Sequence, residues 1–123
     1  MANAPMAPSR GLKKVENPEL LQEILTAIAE YDLPSSSDWA DLDQLSSHTE
    51  FESLEASPEG IFEGPPGSFH AVGTVYVTLN YGDKGDSSSM SDSYPVQLTG
   101  KIDHKKRTIS IEHVSIDTSS FYS

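Results

Sequence analysis

SFHAVGTVYVTLNY, residues 68–81, decides the fold, because from Ser68 the apolar residues recur with a period of two. Phe69, Ala71, Val75, Val77, Leu79 and Tyr81 fall on one side, and His70, Thr74, Tyr76, Thr78 and Asn80 on the other. That alternation is the signature of a half-buried antiparallel strand. Beyond a Gly, Asp and Ser rich loop, Tyr94, Val96, Leu98 and Ile102 alternate with Gln97, Thr99 and Lys101, which predicts a second strand. Asp103-His104-Lys105-Lys106 makes a turn. A third strand carries Ile109 and Ile111, then shifts parity to Val114 and Ile116, so one extra residue near Glu112 or His113 forms a bulge. Such a meander has one apolar face, and that face must be covered.

The cover comes from upstream. Asn17-Pro18-Glu19 is a helix start: Asn caps, Pro is tolerated at the first helical position, and Glu favours the positive end of the dipole. Leu20, Leu21, Ile24, Leu25, Ile28 and Tyr31 repeat at helical spacing, predicting a helix over 18–31 that Leu33-Pro34 ends. Ser35-Ser36-Ser37-Asp38 caps a second, shorter helix in which Trp39, Leu42 and Leu45 share a face. After His48 the pattern loosens. Phe51, Leu54, Ile61 and Phe62 lie scattered among acids up to the Gly64-Pro65-Pro66-Gly67 break, so 35–67 reads as an acidic, partly irregular connector. Phe51 to Glu55 forms at most a short strand, or the segment orders only on a partner. We expect an α+β fold with one or two N-terminal helices packed on a small antiparallel β-meander of three to four strands. It forms a single domain over 16–123, preceded by a flexible arm over 1–15.

Hydrophobic residues make up 36% of the chain and cysteine is absent, so a small core must be held by packing and hydrogen bonds alone. There is no apolar leader and no run near the about 20 residues that cross a bilayer, which together predict a cytoplasmic protein without membrane contact. The net charge of −11 is unevenly placed. Residues 1–14 carry +3, residues 15–63 hold thirteen acids and no lysine or arginine, and residues 64–123 sum to −1. That acidic half repels polyanions, so direct nucleic-acid binding is disfavoured. Its bland reading is a solvated surface; its sharper one is docking to a protein with a basic surface.

Spacing decides among the candidate sites. YGDKGDSSSMSDSYP, 81–95, gathers Asp83, Asp86 and Asp92, yet counting from Asp83 the sixth position is Ser88 and the twelfth is Tyr94, which fails the calcium-loop pattern. Gly82 and Gly85 lack the Lys-Ser pair of a phosphate loop. His48, His70, His104 and His113 have no paired-ligand spacing, although His70 and His113 lie on strands and could meet across the sheet. Serines occur without a nucleophile elbow. No catalytic residue, metal ligand or cofactor site is expected. Trp39 reads first as core, but its size also suits a binding hot spot.

FHAVGTVYVTLNYG followed by DSYPVQLTGKI resembles the C-terminal β-module of bacterial defence-associated nuclease-like proteins, over residues 69–103. Val75, Val77, Tyr81, Gly82, Asp86, Tyr94 and Pro95 carry the likeness. It implies an accessory or recognition module in a defence or toxin-antitoxin setting, and no catalytic residue transfers. The expectation is therefore a non-catalytic binding or regulatory protein. It docks a basic protein through Asp38, Trp39, Asp41, Leu42, Asp43, Glu50, Phe51, Glu52 and Glu55. The alternatives are an immunity or inhibitor protein mimicking nucleic-acid charge, and an ion-binding protein or small hydrolase using the 83–92 loop. An exposed sheet edge also leaves room for a homodimer.

Overall fold

The computed structural model describes residues 12–64, 67–82 and 88–122. Five antiparallel strands form one sheet in chain order: β1 (Lys13–Lys14), β2 (His48–Gly64), β3 (Ser68–Tyr81), β4 (Ser88–Asp103) and β5 (Thr108–Ile116). The alternating stretch is the central strand, β3, with a ladder on each side. Phe69, Ala71, Val75, Val77 and Leu79 are buried on its inner face, beside Tyr94, Val96, Leu98 and Ile102 of β4. The expected bulge is present: Thr99 pairs with His113 and Gly100 with Ile111, leaving Glu112 as the extra residue.

Helix α1 (Pro18–Ala29) begins at Asn17, whose side chain accepts from the Glu19 and Leu20 N–H groups at 2.9 and 3.3 Å. It lies against β2 and β5 and buries Ile24 and Ile28 completely. Two 3-10 turns, Leu33–Ser35 and Ser37–Trp39, lead into the short α2 (Ala40–Asp43). This segment adds Leu33, Leu42 and Leu45 to the core. A last turn of helix, α3 (Ser119–Tyr122), follows β5.

The expected architecture needs correction. One or two N-terminal helices over a meander of three to four strands gives way to a chain dominated by a five-stranded sheet, with little helix and some of it C-terminal. The largest difference is the stretch read as an irregular connector, which contains the 17-residue β2. Its period of two is broken twice, once at Glu52 between Phe51 and Ser53 and again over 57–60 between Ala56 and Ile61. Thr49, Leu54 and Ile61 still turn inward, but never as an unbroken alternation. β4 likewise begins six residues before Tyr94, because Ser88 to Ser93 pair with Tyr81 to Tyr76 of β3. Serine-rich composition suggests a loop; a long neighbouring strand supplies the ladder that makes it a strand.

Of the expected flexible arm, residues 1–11 lie outside the described residues. Lys13 and Lys14 pair with Glu63 and Phe62, and Val15 is buried, its N–H donating to the Ile61 carbonyl at 3.0 Å. Among the described residues no helix is long and apolar enough to cross a membrane.

Candidate functional site

Two surfaces follow from this arrangement, an acidic edge and an uncovered sheet face. The edge comes first. β1 pairs with β2 only at Phe62 and Glu63, so along 48–60 no described strand occupies the outer side of β2. An unpaired strand edge offers backbone donors and acceptors to any extended chain. Glu50, Glu52, Glu55 and Glu59 are all exposed along it. Glu52 accepts from the Thr78 hydroxyl at 2.8 Å and Glu50 from the Asn80 amide at 3.3 Å, so both are steadied by β3 without being neutralised. Among the described residues the ion pairs are Arg107 with Glu23, at 3.2 Å, and His104 with Glu63, at 3.5 Å when that histidine is protonated.

The residues expected to dock a partner come from two elements of the fold. Glu50, Phe51, Glu52 and Glu55 are on β2, whereas Asp38, Trp39, Asp41, Leu42 and Asp43 belong to the helical layer. Trp39 and Phe51 join the two groups by an edge-on ring contact, centroids 6.2 Å apart at 84°. Asp41 and Asp43 are exposed, but Leu42 is fully buried and takes no part in a surface. Asp38 is also committed internally: its Oδ2 accepts the Val114 N–H at 3.0 Å, on the side of β5 away from β4.

In the acidic loop, Asp83 and Asp86 lie outside the described residues. Asp92 is on β4, where it accepts from the Tyr94 hydroxyl and the Ser93 N–H, each at 2.8 Å. Among the described residues no three His, Asp or Glu side chains gather as a metal-ligand set.

The second surface is the sheet face opposite the helices. Directly paired residues share a face, so the register places Lys14, Phe62, His70, Thr99 and His113 in one row across all five strands. All five are exposed or half-buried. Val72 and Tyr76, 45% and 39% exposed, stand on the same face. That His70 and His113 lie on strands was legible. Their alignment on Thr99 was not, because it depends on the length of the β3–β4 connection and on the Glu112 bulge.

No curated protein and no solved structure matches this chain. A family described as predicted pPIWI-associating nuclease matches residues 19–122, from the first turn of α1 to the end of α3. The match thus takes in the helical layer and β2 as well as the 69–103 stretch that carried the resemblance to nuclease-like proteins. With nearly the whole described domain covered, the chain belongs to the family of predicted pPIWI-associating nucleases.

Proposed function

We propose that this chain is the docking component of a pPIWI-associated nuclease system, within a bacterial defence setting, and that it holds a basic protein segment along the outer edge of β2. The observation that carries this reading is intramolecular. The basic pair Lys13–Lys14 already adds to that edge as a short antiparallel strand, opposite Phe62 and Glu63. A partner segment would extend the same addition over 48–60, its backbone completing the ladder and its lysines or arginines meeting Glu50, Glu52, Glu55 and Glu59. Charge complementarity of this kind raises association rates and rejects acidic competitors. Two copies of this edge brought together would oppose like charges, which argues against a homodimer formed there. Trp39 and Phe51, half-buried beside the edge, offer apolar anchorage, and Asp41 and Asp43 extend the negative field.

The test is binding to the pPIWI protein of the same organism, measured by titration calorimetry. Glu50→Lys, Glu52→Lys and Glu55→Lys combined should weaken binding by at least about tenfold, or ~1.4 kcal/mol. A control of equal charge change, Glu16→Lys, Glu30→Lys and Glu112→Lys, should weaken it far less. Equal loss in both triple variants, or no loss in either, would refute docking at this edge.

A further inference from the structure

The uncovered face holds an arrangement that docking does not use. His70 on β3 and His113 on β5 both pair with Thr99 of β4, so the two histidines flank one hydroxyl in a single cross-strand row. At a strand spacing of about 4.8 Å their Cα atoms stand ~10 Å apart, which leaves room for a phosphodiester over Thr99. Lys101 is two residues along β4 on the same face, paired with Ser68 and Ser110. Phe62 flanks His70 on the other side, with Lys14 next to it.

The local charge differs from that of the whole chain. The charged groups on or beside this row are Lys14 and Lys101, against Asp103 further along β4 and Glu112 in the bulge beside His113. The acids Glu50, Glu52 and Glu55, which also reach this face, sit at the far end of β2, beyond the 57–60 irregularity. A polyanion repelled by the acidic half therefore meets a balanced patch here.

We propose that this face is a site for cleavage of single-stranded RNA without a metal, with His70 and His113 as its acid and base. Histidine is the side chain suited to exchanging protons near neutral pH. One neutral imidazole takes the proton of the ribose 2′-hydroxyl as that oxygen bonds to phosphorus. The other, as imidazolium, gives its proton to the departing 5′-oxygen as the P–O5′ bond breaks. The products are a 2′,3′-cyclic phosphate and a 5′-hydroxyl, and no water or redox partner is consumed. The Lys101 ammonium and Thr99 hydroxyl face the charge that develops on the phosphate oxygens, the electrostatic contribution that dominates many such steps. Phe62 offers a face on which a base can stack. This assignment departs from the expectation of a non-catalytic protein and is independent of the docking proposal, since the two surfaces share no residue.

The experiment uses the full chain and a 5′-labelled single-stranded RNA oligonucleotide in excess EDTA. Cleavage leaving 2′,3′-cyclic phosphate ends is expected, with DNA and 2′-O-methyl RNA of the same sequence uncut. His70→Ala and His113→Ala, purified identically, should each slow cleavage by ~100-fold or more. Circular dichroism melts should be unchanged, because both side chains are exposed. No cleavage in EDTA, cleavage of the 2′-O-methyl RNA, or full activity in either variant would overturn the assignment.

Discussion

At the scale of single residues, Asp38 shows how a surface reading goes astray. In the sequence Asp38 reads as part of a helix cap and as one of thirteen acids in 15–63, yet its carboxylate makes no cap and instead accepts an N–H of β5 from 76 residues away. Nothing local in SSSDWAD points to that partner. Asp38→Ala leaves the part-buried Val114 N–H without its acceptor and should destabilise the fold by about 1–3 kcal/mol, read as a drop in denaturation midpoint. Asp41→Ala, exposed and uncommitted, should stay within ~0.5 kcal/mol of the native chain. Gly73 is constrained differently. A Cβ there would run into the Glu55 carbonyl of β2 and lie 2.9 Å from the Ala56 Cα, both backbone atoms that cannot swing aside. Gly73→Ala should therefore cost about 1–3 kcal/mol by urea denaturation, and a neutral result would mean that β2 and β3 separate there more easily than the ladder implies.

At the scale of elements, legibility followed locality. α1 was readable because its cap, its proline and its apolar stripe all lie within the helix itself. Asn17→Ala removes two hydrogen bonds to backbone N–H groups and should lower stability by about 1 kcal/mol, while Asn17→Asp or Asn17→Ser should largely preserve it. β2 was not readable beyond Phe51 to Glu55, because Glu52 and 57–60 interrupt its parity and its register is imposed by β3. Near the C-terminus, Asp117 precedes α3 and accepts the Ser119 N–H at 3.0 Å. The Ser119 side chain, and then its N–H, hold the Asp117 carboxyl below its ordinary value of 3.8. A carboxyl lowered in the folded state adds stability above its unfolded pKa and loses it as pH falls through the folded one. An NMR titration should place the Asp117 midpoint below 3.8 and move it upward in Ser119→Ala. An unmoved midpoint would remove the Ser119 hydroxyl as the main cause.

At the scale of the whole molecule, what composition disclosed was the uneven charge, and what it hid was where that charge lies. The acids that read as a connector line one sheet edge towards the start of β2, while the histidine row crosses the face away from the helices near the end of β2. Neither surface is visible without the register, since a slip of one residue in β4 would send Thr99 to the inner face. Docking at the acidic edge predicts strong salt dependence: raising ionic strength about tenfold should weaken pPIWI binding chiefly through slower association. The most direct measurement is amide hydrogen exchange of this chain alone and bound to the pPIWI protein. Strand addition predicts slowed exchange concentrated in 48–60 of β2, with β4 and β5 unchanged. Protection confined to β4, β5 or the helices, with 48–60 exchanging as in the free chain, would contradict the account.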